Sequence, residues 1–172
     1  ESFLAEKYDI FAPRSFELNL LDCDCVDKFF KDKNFDVVLH AAIKPGHRNA
    51  KDKTNNFYSN ILMFENLERH KNKFGKFINF SSGAIYNTNF DITNAKEEDI
   101  FKKIGTKDHD FCKYIEAKQI EHLDNFIDMN IFGIFGKYED WEIRFISNAI
   151  CKAIFNLPIT IRQNRRFSYL LV

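Results

Sequence analysis

Apolar runs of strand length alternate along the chain with stretches whose apolar residues recur every three to four positions. That order predicts an α/β fold, with parallel strands joined by helical crossovers. Strands are expected at Tyr8 to Ala12, Asp36 to His40, Lys76 to Ser81, Asn130 to Ile134 and Pro158 to Arg162. The run Asp36-Val37-Val38-Leu39-His40 is apolar on both faces, as a strand covered on each side must be, and so belongs in the middle of the sheet. Between strands, Cys25 to Lys33 sets Val26, Phe29 and Phe30 on one stripe, with Asp22 or Asp24 able to cap the first turn. Asn55 to His70 repeats the stripe through Phe57, Ile61, Phe64 and Leu67. Two more helices are expected, from about Asp110 to Phe126 and from about Trp141 to Phe155.

Composition narrows the function classes. The 172 residues are 45% hydrophobic and 16% aromatic, enough for a real core. Lys and Arg number 25 against 25 Asp and Glu, so no net field gathers nucleic acid or an anionic membrane, and neither is expected as a partner. No apolar run approaches the ~20 residues of a membrane span, and a cytoplasmic location is expected. Cys23, Cys25, Cys112 and Cys151 lack paired metal spacing and are read as buried or idle thiols, with no metal site expected. The opening Glu1 to Lys7 reads as the tail of a helix and the chain stops at Val172 within a strand-like run, so further residues are expected at each end.

Tyr114-Ile115-Glu116-Ala117-Lys118 sets a tyrosine and a lysine four apart on an expected helix, so both leave from one face. A free phenol ionises near pH ~10, and a catalytic one needs a cation beside it. Alone, the pair also fits an ordinary surface contact. Upstream, Phe77 to Ser82 reads as a buried strand ending in two hydroxyls, Ser81 and Ser82, and opening into the small-residue loop Gly83-Ala84. Ligands of open α/β sheets bind at such carboxyl ends, where a serine can hold an alcohol whose proton the tyrosine moves.

With Ser82 four residues before Tyr86, and Tyr114 and Lys118 on the next helix, the chain resembles the extended short-chain dehydrogenases/reductases. Further stretches carry the resemblance. Glu17-Leu18-Asn19-Leu20-Leu21-Asp22 is similar to the strand end near the adenine, and His40-Ala41-Ala42-Ile43-Lys44 to the loop under the dinucleotide. Asn60 matches an asparagine near the cofactor. Asn130-Ile131-Phe132-Gly133-Ile134-Phe135-Gly136 is similar to the segment lining nicotinamide and sugar, with Gly133 where an asparagine is usual. Phe167 to Val172 is similar to the strand following a substrate-binding arginine, here Arg166. The pattern is nearest to the nucleotide-sugar epimerases and reductases, GDP-fucose synthases among them.

The resemblance implies a Rossmann-type doubly wound parallel sheet over residues 1–136 and the start of a smaller substrate domain over 137–172. It implies Ser82, Tyr114 and Lys118 as the catalytic set, acting by hydride transfer at a sugar carbon, in an epimerase or a 4-keto-sugar reductase. Cofactor contacts fall to Arg14, Asp22, Ala41, Ala42, Lys44, Asn60, Ser81, Tyr114, Lys118 and Ile131. Substrate contacts fall to Lys44, Ser82, Gly83, Gly133 and Arg166, with Arg144, Arg162 and Arg165 as further diphosphate candidates. The cofactor is expected to be NADP, with NAD possible, because Ala12-Pro13-Arg14-Ser15 ends the second strand without a carboxylate. The partners implied are a nucleotide-diphosphate sugar and a second copy, in a homodimer through the helices Asn55 to His70 and Asp110 to Phe126, where Tyr58 and Leu62 form a second apolar stripe.

Departures refine this. The Gly-rich fingerprint is not in the sequence and is expected before Glu1, and the stretch from Lys118 to Met129 is short for the usual helix and loop. The acid/base groups of dehydratases fall at Gly83 and Ala84, and the proton-shuttling cysteine of double epimerases at Ala84, and neither residue moves a proton. That favours a plain 4-epimerase or reductase over a 4,6-dehydratase; a non-catalytic NAD(P)-binding regulator and an unrelated α/β binding domain are the rival readings.

Overall fold

Asp22 starts the first α-helix: its carboxylate accepts from the backbone N–H groups of Asp24 at 3.0 Å and Cys25 at 3.1 Å. In the computed structural model, which describes residues 3–46, 50–52, 54–87, 89, 94–161 and 169–172, this fixes α1 as Cys23–Phe30. There follow β1 (Phe35–His40), α2 (Asn56–Glu68), β2 (Phe74–Ser82), α3 (Asp108–Ile120) and β3 (Phe126–Ile131). The short β4 (Ile134–Phe135), α4 (Phe145–Ile154) and β5 (Leu170–Leu171) complete the order.

The strands β1, β2 and β3 form a parallel sheet in that order, with Phe35 opposite Phe74, Phe77 opposite Phe126 and Ser82 opposite Ile131. Helices α1, α2 and α3 pack on one face. Val26 and Phe30 of α1, Phe64 and Leu67 of α2 and Ile120 of α3 enclose Phe74, Phe77 and Phe126 in one core. Phe64, Phe77 and Val26 are fully buried. On the other face Val37, Leu39, Phe80, Ile127 and Met129 stay exposed. The sheet is thus the Rossmann-type arrangement expected, with one of its two helical layers among the described residues. A second, two-stranded parallel sheet joins β4 to β5.

Several boundaries differ from the expectation. Tyr8 to Ala12 runs as irregular chain with Tyr8, Ile10 and Phe11 exposed, because no strand among the described residues pairs with it. For the same reason β1 is an edge strand rather than a central one; β2 takes the middle. Helix α3 stops six residues early at Ile120 and β3 begins four residues early at Phe126. Asn125 forces both, since its side-chain amide donates to the carbonyls of Lys71 (3.0 Å) and Phe74 (3.1 Å) while its own carbonyl accepts from the Phe77 N–H (2.8 Å). A turn over 121–125 thereby replaces a longer loop, which accounts for the short spacing. The expected strand Asn130 to Ile134 breaks at Phe132 and Gly133. Residues 158–161 are irregular, and Arg162 lies outside the described residues. Trp141 to Arg144 precedes α4 as a turn capped by the Asp140 carbonyl, which accepts from the Arg144 N–H at 3.0 Å.

All four cysteines are free thiols. No helix among the described residues is long and apolar enough to cross a membrane, and those residues hold no group of three His, Cys, Asp or Glu suited to a metal ion.

Replacing Asp22 by Ala removes the acceptor for two N–H groups and is expected to lower unfolding free energy by ~1 kcal/mol in urea denaturation, with Asp22→Ser recovering most of it. An unchanged midpoint in the Ala variant would show that the cap contributes nothing.

Candidate active site

The carboxyl end of β2 turns sharply. Ser82 is extended, at φ −143° and ψ 148°, and its Oγ accepts from the Ala84 N–H at 3.2 Å, starting a single 3-10 turn over Gly83–Tyr86. Gly83 is required there, since a Cβ would lie 2.6 Å from the Phe132 ring packed over it. That ring also stacks on Tyr86 with centroids 5.5 Å apart. Ser81, opposite Asn130, is buried, with its hydroxyl beside the Asp128 carboxyl, whose ionised form it favours.

Helix α3 presents Tyr114 and Lys118 on one side, as their spacing requires. Both meet Phe101: the Tyr114 ring stands edge-on to it at 5.7 Å, and the Lys118 ammonium lies 3.5 Å from its centroid. Tyr114 also stacks on Phe111 at 6.3 Å, and Lys118 pairs with Glu121 at 2.9 Å. Both partners of that ion pair are about half exposed, so it is worth at most ~1 kcal/mol and releases readily. Ala117, one turn away from Tyr114, packs on Ile85 and Tyr86. The helix therefore docks on the turn that follows Ser82, while no described hydrogen bond or ring contact joins Tyr114 to Ser82 itself.

Beyond β1, Ala41 and Ala42 are exposed and the backbone of Lys44 is gripped by Asn60. The Asn60 carbonyl accepts from the Lys44 N–H at 2.7 Å, and its amide donates to the Lys44 carbonyl at 3.1 Å and to Asn56 at 2.8 Å. Lys44 reaches outward to Asp52 (2.8 Å) and the Thr54 carbonyl (2.6 Å). The structure thus brings Asn60 to Lys44, Tyr114 to Lys118, and Ile131 to Ser82 by strand pairing. Others stand apart: Arg14 is exposed on an irregular bend, Asp22 caps α1, and the Gly133 carbonyl accepts from the Leu170 N–H at 2.8 Å. Arg162, Arg165 and Arg166 lie outside the described residues, as do Phe167 and Ser168 of the strand expected beside them.

One group of polar residues near the site escaped sequence reasoning. Asn79, 1% exposed in the middle of β2, donates to Glu116 at 3.1 Å and to Asp128 at 2.8 Å. Glu116 in turn accepts from Lys113 at 2.7 Å and from the Cys112 thiol at 3.3 Å. Asp128 and Asn130 reach an open cleft of about 430 Å³ shared with Tyr86, Glu97 and Phe132. Burial raises the Asp128 carboxyl to about 6, with the Glu116 charge adding to it. Burial likewise depresses His40 to about 4 and pushes the Cys112 thiol far up. Desolvation and the Glu97 charge raise the Tyr86 phenol. The alternation Phe126-Ile127-Asp128-Met129-Asn130-Ile131 was the available signal, and it reads equally as a strand with a wet face.

The sequence profile of the NAD dependent epimerase/dehydratase family matches residues 2–169. No curated protein sequence matches the chain. Among solved structures, a GDP-mannoheptose C4 reductase from Campylobacter jejuni with NADP bound is 23% identical, with a TM-score of 0.70 over 84% of this chain and 47% of that one. A GDP-D-glycero-L-gluco-heptose synthase from the same organism, in the presence of NADPH, gives 22% and 0.70 over 84% and 47%. A GDP-L-fucose synthetase from Naegleria fowleri gives 17% and 0.62 over 83% and 48%. The chain spans under half the length of these structures.

Asp128 has its folded pKa raised above the unfolded value of 3.8, so the stability it favours is present below that value and is lost as pH rises through about 6. His40, depressed from 6.5 to about 4, loses stability in the opposite direction, as pH falls. Asp128→Asn removes only the first slope. The variant is expected to gain about 2–3 kcal/mol over the parent at pH 8 and nothing near pH 4, by urea denaturation at both. A difference independent of pH would mean that Asp128 ionises as an ordinary carboxylate.

Proposed function

The chain belongs to the NAD dependent epimerase/dehydratase family, and we propose that it acts on a nucleotide-diphosphate sugar as an NADP(H)-dependent 4-keto-sugar reductase or 4-epimerase. The observation that carries this reading is the pairing of Tyr114 and Lys118 on one side of a helix docked, through Ala117, on the turn that opens at Ser82. The names of the similar structures, two of them with NADP or NADPH, support the same kind of cofactor and substrate.

The residues beyond β1 fit a dinucleotide. Ala41 and Ala42 are small and exposed, so a flat ligand can approach the backbone, and Asn60 holds the loop from behind through Lys44. The Ser81 hydroxyl, beside Asp128, adds a polar group at the neighbouring strand end. Ala41, Ala42, Lys44, Asn60, Ser81 and Ile131 would hold the cofactor, with Asp22 and Arg14 towards the adenosine half. Bound there, the cofactor supplies or takes the hydride at the sugar carbon.

The protein's own work is proton transfer and orientation. In reduction, Tyr114 gives its phenol proton to the oxygen of the carbonyl as it becomes an alcohol; in oxidation it takes that proton back. Lys118, leaving its weak pair with Glu121, puts a positive charge beside the phenol and meets the cofactor ribose. Ser82 keeps its hydroxyl proton free to donate to the same substrate oxygen, because its bond with Ala84 uses it only as an acceptor. Gly83 and Ala84 offer no second acid or base, which disfavours dehydration. The substrate would also meet Lys44, Gly83, Gly133 and Arg166.

In this reading residues 1–136 serve the dinucleotide and 137–172 begin a substrate region. The enzyme works in the cytoplasm as a homodimer, with exposed Tyr58 on α2 and Phe111 on α3 at the interface.

Two measurements on the full-length protein test the proposal. Tyr114→Phe is expected to lower turnover of a GDP-4-keto sugar by ~10²–10⁴-fold, followed as NADPH absorbance, while NADPH binding stays within a few-fold. Wild-type kcat in that variant would remove Tyr114 from the chemistry. Arg14→Ala is expected to weaken NADPH ~10–100-fold and leave NADH nearly untouched by calorimetric titration, as loss of a charge-assisted phosphate contact requires. Equal losses for both would exclude a 2′-phosphate role.

A further inference from the structure

Glu116 stands midway between Tyr114 and Lys118, and at 100° per residue its side chain leaves α3 about 200° from Tyr114. It therefore points at the sheet when the other two point away. A carboxylate on that face is a costly choice unless it is fully bonded. The structure bonds it: Glu116 is 1% exposed and accepts from Lys113, Asn79 and Cys112. Asn79 sits on β2 three residues before Ser82, and its second amide proton goes to Asp128 on β3. Ala117, Ile120 and Cys112 also pack α3 on the body, and Phe111 stacks on Phe57 of α2 with centroids 5.6 Å apart. Hydrophobic contact is non-directional, whereas a buried carboxylate meeting an amide is satisfied over a narrow range of angles.

We propose that Glu116 and Asn79 are positioning residues, a buried polar tie that sets the rotation of α3 and so aims Tyr114 and Lys118. The catalytic consequence rests on the reading of those two residues given above; the geometric one does not. Neither Glu116 nor Asn79 touches substrate or cofactor. They act by holding the helix that carries the acid/base to the strand that carries Ser82. The rotation they set keeps Tyr114 and Lys118 together against Phe101.

Replacing the ion pair as a unit tests this without leaving a lone buried charge. A Lys113→Met, Glu116→Leu protein keeps the volume, and such swaps of buried pairs for apolar residues leave folds intact or more stable. It is expected to melt at or above the parental temperature, yet to lose ~10–100-fold in kcat. Its crystal structure is expected to show the Tyr114 ring displaced from the parental 5.7 Å edge-on contact with Phe101. A Lys113→Met, Glu116→Gln protein, whose amide keeps an oxygen for Asn79 and which leaves no charge of the pair behind, is expected to hold kcat within a few-fold. A stable Lys113→Met, Glu116→Leu protein with parental kcat and an unmoved Tyr114 overturns the proposal. Should the ring move while kcat and that of Tyr114→Phe both remain parental, the tie stands as geometry and the catalytic reading of Tyr114 fails. Should the Lys113→Met, Glu116→Leu protein unfold, the Lys113→Met, Glu116→Gln protein decides: a loss of ~10-fold or more in kcat at unchanged melting temperature overturns the amide-for-carboxylate rescue on which the tie depends, and parental kcat with an unmoved Tyr114 sustains it.

Discussion

Phe77 lies opposite Phe126 in the parallel pairing of β2 with β3, and their rings stack with centroids 4.5 Å apart. Phe64 of α2 closes on both edge-on, at 6.0 and 6.2 Å. This cluster sets the register on which the rest of the structure depends. Side chains alternate between faces along a strand, so a slip of one residue would send Phe77, Asn79 and Ser81 to the exposed face together. With the register held, Asn79 falls opposite Asp128, Ser81 opposite Asn130 and Ser82 opposite Ile131. The apolar half of the sheet thus determines which polar groups meet in its other half.

What meets there is short of positive charge. Two carboxylates, Glu116 and Asp128, share the amide of Asn79, while one lysine, Lys113, pairs with only the first. Glu116 has a cation and two further donors, whereas burial and then the Glu116 charge hold the Asp128 carboxyl up to about 6. His40, facing the same buried groups from β1, stays neutral for lack of water. A polar network next to an apolar core specifies geometry more narrowly than it adds stability, and here its members lie on β1, β2, β3 and α3 at once.

The sequence was most legible where one kind of interaction decided the outcome. Phe57, Ile61, Phe64 and Leu67 form a helical stripe because they cover a sheet, and α2 falls within two residues of its expected ends. The strands β1 and β2 were readable from continuous apolar runs, and the shared face of Tyr114 and Lys118 from helix geometry alone. Asn60 drew attention only through resemblance, since nothing in its neighbours announces the grip on Lys44. Legibility failed where a partner distant in sequence decides. Tyr8 to Ala12 has a strand's composition and no strand beside it among the described residues. Asn125 ends α3 by reaching Lys71 and Phe74, some fifty positions back. Asp128 and Asn130 alternate with apolar neighbours as solvent-facing residues do, yet their polar face is the inner one, where Asn79 donates to Asp128.

The division of labour that results has a physical logic. Groups that hold the framework are saturated: Asn60 uses both ends of its amide on Lys44 and Asn56, and Glu116 uses both oxygens. Groups at the candidate site are left with capacity. Ser82 accepts one bond and retains its proton, and Tyr114 is held among the described residues by the faces and edges of Phe101 and Phe111. Ring contacts fix where a phenol sits without occupying its hydroxyl, and a half-exposed ion pair leaves Lys118 free to exchange Glu121 for another anion at little cost. A site built to move a proton needs this asymmetry. Its reactive atoms must be placed by packing and by bonds made elsewhere, because any strong internal partner would have to be broken before substrate could take its place.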